Sequence, residues 1–191
     1  MSLTLRKPTP KAWLSHALAN LDEVFIDHAH CEKKAAANAL SLLQAYPDVP
    51  RLPSHMARLA REEAGHLARV LTLLEARGLS LGKDPGDPYV QALHQRIRSG
   101  HAERRLDRLL VAALVEARSH ERLGLLATAL PSVELRKLYA ELARSEDGHQ
   151  ALFLRLAHAV APKDVVAERL EAWLDLEQDA IDAVGLRAAI H

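Results

Sequence analysis

One short pattern is written twice in this chain. Leu59-Ala60-Arg61-Glu62-Glu63-Ala64-Gly65-His66 is answered by Leu142-Ala143-Arg144-Ser145-Glu146-Asp147-Gly148-His149. Each stretch carries Glu-x-x-His, and on an α-helix that spacing places a carboxylate and an imidazole on one face, one turn apart. A single such pair is common on helices and says little. Two pairs, joined by one Glu from each of two further helices, make the ligand set of a carboxylate-bridged di-iron or di-manganese bundle.

The rest of the sequence supplies those helices. Ala and Leu dominate with Glu and Arg, and aromatic residues are few, which is the composition of helix formers. Thr9-Pro10 reads as a helix start, with Thr9 as N-cap and Pro10 at the first helical position. The helical pattern runs to Tyr46 with a break near Asn20, and Phe25, His28, Glu32, Ala35, Ala36, Ala39, Leu42 and Leu43 form its apolar stripe. Pro47, Pro50 and Pro53 bracket a turn, and Ser54 is the expected N-cap of the next helix. That helix turns Met56, Leu59, Ala60, Glu63, His66, Leu67, Val70, Leu73 and Leu74 inward and stops at Arg77-Gly78.

Residues 79–89 form the longest loop, followed by a short helix from Tyr89 to Arg98. A third long helix runs to Leu130 with Leu109, Ala112, Ala113, Glu116, His120, Leu123 and Ala127 on its stripe. After Pro131-Ser132 a fourth turns Leu135, Leu138, Tyr139, Leu142, Glu146, His149, Leu152, Phe153 and Leu156 inward. A last helix begins beyond Pro162. The expected organisation is one all-α domain over 1–191: hairpins at about 10–78 and 100–160, a connection with a short helix at 79–99, and a C-terminal helix at 163–180. A duplicated helical hairpin organises it.

Both missing glutamates lie on these stripes. Glu32 precedes Glu63 by 31 residues, and Glu116 precedes Glu146 by 30. Glu116 and Glu146 stand equally far from the Pro131-Ser132 turn, about 21 Å along each arm at ~1.5 Å per residue, so the two carboxylates come level. Glu121 fits worse, being only 25 residues from Glu146 and having Arg118 and Gly124 as one-turn neighbours. Four carboxylates and two imidazoles facing one core are costly to bury without cations. Two divalent metals neutralise them, and oxygen and nitrogen donors suit iron or manganese. His28 and His120 stand one turn from Glu32 and Glu116, which suits either a hydrogen bond to those ligands or a packed core histidine.

Other features set bounds. Cys31 is the only cysteine, which excludes an internal disulfide, a Cys-x-x-Cys site and the four-cysteine iron module of rubrerythrin-type proteins. With no uninterrupted apolar run near membrane-span length and no charged-then-apolar N-terminal segment, a soluble cytoplasmic protein is expected. Lys+Arg and Asp+Glu number 25 each, so a polyanion would need a local patch. The candidate is the start of the third long helix, where His94, Arg96, Arg98, His101, Arg104, Arg105 and Arg108 gather, diluted by Glu103 and Asp107; an ordinary solvated face with internal ion pairs accounts for it equally well. Lys33 and Lys34 are a second candidate. Trp13 and Trp173 read as packing anchors, and His55, His158 and His191 as surface or terminal residues. Spacing alone leaves an iron store, a manganese catalase and an oxygenase open.

Asp27-His28-Ala29-His30-Cys31-Glu32-Lys33-Lys34-Ala35-Ala36 resembles the first-helix signature of the tRNA 2-methylthio-N6-isopentenyladenosine hydroxylases. So do Arg61-Glu62-Glu63-Ala64-Gly65-His66, Gly82-Lys83-Asp84-Pro85-Gly86-Asp87-Pro88-Tyr89 and Glu116-Ala117-Arg118-Ser119-His120-Glu121-Arg122, with likeness from about Trp13 to Val160. The resemblance implies a ferritin-like four-helix bundle of two hairpins with additional N- and C-terminal helices. It also implies an O2-dependent non-haem di-iron monooxygenase that hydroxylates the isopentenyl group of the modified adenosine beside the tRNA anticodon. Glu32, Glu63, His66, Glu116, Glu146 and His149 are its implied ligands to two iron ions, and through them the catalytic residues. Manganese is the lesser expectation. The implied partners are tRNA, with Arg96, Arg98, Arg104, Arg105 and Arg108 as phosphate contacts, and an external reductase or ferredoxin, because the chain has no flavin fingerprint or cysteine cluster. The alternative reading is iron storage with ferroxidase activity, or a manganese-catalase-type consumer of peroxide. Iron taken up beyond two per chain marks the first, and O2 evolved from peroxide the second.

Overall fold

A computed structural model describes residues 3–191. Among the described residues there are seven α-helices and no strand: α1 (Lys11–Ala19), α2 (Leu21–Ala45), α3 (Leu52–Ala76), α4 (Pro88–His94), α5 (His101–Ala129), α6 (Val133–Val160) and α7 (Lys163–Val184). Among the described residues no helix is long and apolar enough to cross a membrane. The chain divides into two compact units, each built around one of the two hairpins.

The smaller unit is Ala19–Gly86 with Ala188–Ile190. Its α2 and α3 pack as antiparallel partners, burying Val24, Phe25, Ala39 and Leu42 from one and Met56, Leu59, Val70 and Leu74 from the other. Each large aliphatic or aromatic side chain among these contributes ~1.5–3 kcal/mol through removal from water. The chain breaks at Asn20, as the sequence suggests, and Arg77 ties the far end of α3 back to the first turn of α2 through Asp22 at 2.6 Å. Helix α3 ends where Gly78 takes a left-handed φ of 68° and Leu79 N–H returns to the Leu74 carbonyl at 2.9 Å. The expected Ser54 cap is replaced. The helix begins at Leu52, includes Pro53, and is preceded by Arg51 in a left-handed conformation, while the Ser54 hydroxyl donates to the Arg51 carbonyl. Proline needs no N–H partner in a first turn, so it starts the helix earlier than Ser54.

The larger unit holds the segment up to Leu18, Asp87–Arg187 and His191. Ser132 caps α6 by accepting from Leu135 N–H, and Asp87 caps α4 by accepting from Val90 N–H. Helix α7 packs on α4, α5 and α6, so α5 is covered by α6 on one side and by α4 and α7 on others. This is why α5 is buried almost all round between Leu109 and Ser119 rather than along one stripe. Trp13 and Trp173 are fully buried anchors.

Three sequence expectations change in this unit. Asp107 is not a surface charge diluting the basic patch; it is completely buried. Arg118, on the side of α5 left polar by a one-stripe reading, is buried against Glu177 of α7 at 2.7 Å. Thr9 does not cap α1. Its amide and hydroxyl both donate to Glu121, and the Pro10 carbonyl accepts from Trp13 N–H instead.

Candidate metal centre

Each hairpin assembles three donors by the same local logic. In the smaller unit Glu63 and His66 lie one turn apart on α3, and α2 supplies Glu32; all three are buried. His66 Nδ1 lies 3.3 Å from Glu63 Oε2 and 3.6 Å from Glu32 Oε2. In the larger unit α6 supplies Glu146 and His149, and α5 supplies Glu116, again buried. His149 Nδ1 lies 3.3 Å from Glu146 Oε2 and 4.0 Å from Glu116 Oε2. The repeat in sequence is thus a repeat in geometry.

These distances suit a cation. Ligands ~2.1 Å from one ion at right angles stand ~3.0 Å apart. In each half the imidazole already stands 3.3–4.0 Å from both carboxylates and needs to close by only a fraction of that spacing. Two carboxylates and one imidazole in each half are hard-to-borderline donors, suited to iron or manganese rather than to a thiolate-seeking metal.

In the smaller half the carboxylates and the imidazole shift one another's ionisation. Burial alone would raise the Glu32 carboxyl, but hydrogen bonds from His28 and His66 outweigh it and hold the group well below the usual carboxylate range. Burial alone would lower the His66 imidazole, yet its bonds to Glu32 and Glu63 push it up to about 10. The imidazole and the two carboxylates thus favour one another's charged forms.

The neighbouring histidines differ. His28 Nε2 meets Glu32 Oε1 at 2.7 Å, so the ring donates to the carboxylate oxygen and fixes its orientation. His120 directs Nδ1–H to the Ala143 carbonyl of α6 at 2.7 Å, which clamps the hairpin that carries Glu116 and Glu146. Cys31 is buried beside Asp27, with its sulfur 3.6 Å from that carboxylate.

The basic patch is less uniform than its sequence. Arg96 and Arg104 are exposed, and Arg105 and Arg108 half-buried. Arg98 instead grips Asp107 through its backbone amide, Nε and Nη2 at 2.8–3.0 Å. Arg169 and Trp173 of α7 donate to the same carboxylate. Burial opposes ionisation of Asp107, but the arginine bonds prevail and hold it well below the usual range.

Two features had no counterpart in the sequence reading. His191 is buried rather than at the surface: Nδ1 meets Asp87 at 2.9 Å, Nε2 meets Ser119 at 2.8 Å, and the ring stacks on Tyr89. His30, also buried, joins α2 to the loop before α4. Only the motif Gly82-Lys83-Asp84-Pro85-Gly86-Asp87-Pro88 signalled that this loop is structured.

A family described as tRNA-(MS[2]IO[6]A)-hydroxylase (MiaE) matches residues 1–191. A tRNA 2-(methylsulfanyl)-N(6)-isopentenyladenosine(37) hydroxylase of Pseudomonas putida is 36% identical over 96% of this chain and 89% of its own. The Salmonella typhimurium protein of the same name is 27% identical over 93% of this chain and 83% of its own. Among solved structures, a Synechococcus protein with aldehyde deformylating oxygenase activity superposes with a TM-score of 0.93 at 41% identity, covering 98% of this chain and 94% of that one. The all-α, ferritin-like class implied by the sequence agrees with that likeness. On the match across its full length and on the identity to its curated relatives, the chain belongs to the tRNA-(MS[2]IO[6]A)-hydroxylase (MiaE) family.

Proposed function

We propose that this chain is an O2-dependent non-haem di-iron monooxygenase. Its reaction is hydroxylation of the isopentenyl side chain of 2-methylthio-N6-isopentenyladenosine next to the tRNA anticodon. The observation that carries the reading is a buried Glu/Glu/His set on each hairpin of a chain matched end to end by the hydroxylase family. Glu32, Glu63, His66, Glu116, Glu146 and His149 would together hold the two iron ions, and 1–191 works as one catalytic domain. When bound, the iron pair supplies reduction of O2 and transfer of one oxygen atom into an allylic C–H bond that acid–base groups cannot activate.

The protein residues do the rest. His28 holds Glu32 in one orientation through its Oε1 atom. Burial of all six ligands keeps bulk water from them. His120 fixes the spacing of α5 against α6. Incorporating one atom of O2 and reducing the other to water requires two electrons beyond those of the C–H bond. A separate reductase or ferredoxin supplies them, since the lone Cys31 cannot build an iron–sulfur relay. Arg96, Arg104, Arg105 and Arg108 contact tRNA phosphates, with Arg98 contributing only the edge of its guanidinium that Asp107 leaves open. The modified base swings out of its stack to be oxidised. The reaction belongs in the cytoplasm, with its tRNA.

A second reading has its own support: the 41% identity to the Synechococcus protein with aldehyde deformylating oxygenase activity. The same metal site would then act on an aldehyde. One experiment separates them. Cells that make isopentenylated adenosine but cannot hydroxylate it are given this chain or its Glu63→Ala variant, and tRNA nucleosides are profiled by mass spectrometry. One added oxygen with the intact chain alone supports the hydroxylase. No gain from soluble, iron-loaded protein given a competent electron donor rejects it, and loss of a formyl group from supplied aldehydes then favours the second reading.

A further inference from the structure

The loop between α3 and α4 is fastened to α2 beside Glu32 by a compact polar node. His30, only 2% exposed, points Nε2 at the Leu81 carbonyl at 3.1 Å. A carbonyl can only accept, so Nε2 carries the proton and the neutral ring leaves Nδ1 as an acceptor. Lys33 Nζ donates to that Nδ1 at 3.1 Å and to Asp84 Oδ2 at 3.0 Å. The other Asp84 oxygen accepts from Gly86 N–H at 2.9 Å. Lys34 Nζ lies 3.7 Å from that oxygen, beyond hydrogen-bond reach, and is shielded from solvent without a hydrogen-bond acceptor. Lys83 is exposed on the same loop.

Two ammonium groups on half-exposed side chains thus face one carboxylate, and Lys34 Nζ has no acceptor within hydrogen-bond distance. An oxygen-rich anion with more acceptors than Asp84 would satisfy both, and a phosphodiester is such a group. The node also lies immediately after a ligand on the same helix: Lys33 and Lys34 follow Glu32 directly.

We propose that Lys33 and Lys34 form a binding site for an RNA phosphodiester, and that Asp84 is an internal stand-in which holds the loop on α2 until the substrate's phosphate displaces it. This rests on the tRNA reading and deepens it by placing a backbone contact beside the metal ligands. Asp84 then has two effects. It keeps the lysines compensated in the free protein, and it sets a threshold that only a correctly positioned phosphate overcomes.

The test is binding of an anticodon stem–loop RNA by fluorescence anisotropy across a salt series, with wild-type, Asp84→Asn and Lys34→Gln proteins. Asp84→Asn retains an acceptor for Gly86 N–H but removes the competing charge. It is expected to tighten binding by roughly two- to fivefold. Lys34→Gln should weaken binding and reduce the magnitude of the log–log salt slope by ~0.7–0.9, the share of one phosphate contact. Unchanged or weaker binding by a folded Asp84→Asn protein overturns the proposal. If that variant does not fold, Lys34→Gln decides alone, and an unchanged affinity and slope overturn it. Should the wild type bind RNA while both variants match it, only this inference fails. Absence of salt-dependent RNA binding by the wild type removes the tRNA reading as well.

Discussion

Replacing Glu177 by Ala tests the least forgiving contact in the larger unit. The Arg118 guanidinium and the Glu177 carboxylate are both fully buried. All five N–H donors of Arg118 are engaged: Nε and Nη2 with Glu177, Nη2 also with the Lys7 carbonyl, and Nη1 with Thr9 and Glu121. Burial opposes the charged guanidinium, but Glu177 more than compensates and raises Arg118 above its ordinary range. Removing Glu177 leaves the cation with half-buried Glu121 as its ionic partner and takes an acceptor from Tyr89, whose hydroxyl donates to Glu177 at 3.1 Å. Breaking a buried pair from one side costs about 3–5 kcal/mol. For a chain of this length each kcal/mol lowers the midpoint by about 2–4 °C, so thermal unfolding should fall by roughly 6–20 °C. Calorimetry on matched metal-free samples measures it. The double variant Arg118→Met with Glu177→Leu should recover most of the loss, because an apolar pair carries no desolvation penalty. A Glu177→Ala midpoint within about 2 °C of wild type, the effect of an ordinary surface change of ~0.5 kcal/mol, would refute the reasoning.

Three further outcomes follow from the same geometry. Iron-loaded wild-type protein should hold two ions per chain by elemental analysis, and Glu63→Ala or His149→Ala should lower both metal content and the stabilisation that metal confers. Because the folded Asp107 carboxyl lies below its unfolded value of ~3.9, its stabilising contribution is complete above that pH and is lost as acid takes the protein down through the folded value. Asp107→Asn should therefore show a shallower fall of midpoint than wild type from pH ~4 downward, and parallel curves would contradict this. Charge reversal at Arg104 and Arg105 together should weaken tRNA binding and reduce the magnitude of its salt slope by up to ~2, whereas an unaltered slope rejects that face.

Most of the helices were legible because apolar periodicity and Pro/Gly punctuation are local signals. The break at Asn20, the left-handed Gly78 and the turn at Pro131-Ser132 all follow from a few neighbouring residues. The burial of Glu32, Glu63 and Glu116 could be anticipated from their places within apolar stripes. What could not be read is burial imposed from far along the chain. Nothing near Asp107 or Arg118 announces that Arg169 and Glu177 will arrive to neutralise them. The burial of His191 is of the same kind, because Asp87 and Ser119, its partners, are remote in sequence. The roles of Thr9 and Ser54 were misassigned for a nearer reason: a residue that fits a cap by type can still find a better partner elsewhere.

The junction at Arg118 also orders events as the chain is made. Thr9 lies 109 residues before Arg118, and Glu177 lies 59 residues after it. At ~5–20 residues per second, the N-terminal strap waits about 5–20 s for its arginine, and the arginine about 3–12 s more for its carboxylate. Until α7 emerges from the ribosome the guanidinium stays hydrated, and α5 lacks the cover that buries it on that side. Closing this junction brings together segments of high sequence separation, which is the slow kind of step in folding. The hairpin of α2 and α3 needs no such delay. Its helices are neighbours in sequence, and its donors Glu32, Glu63 and His66 are all synthesised before α4 begins.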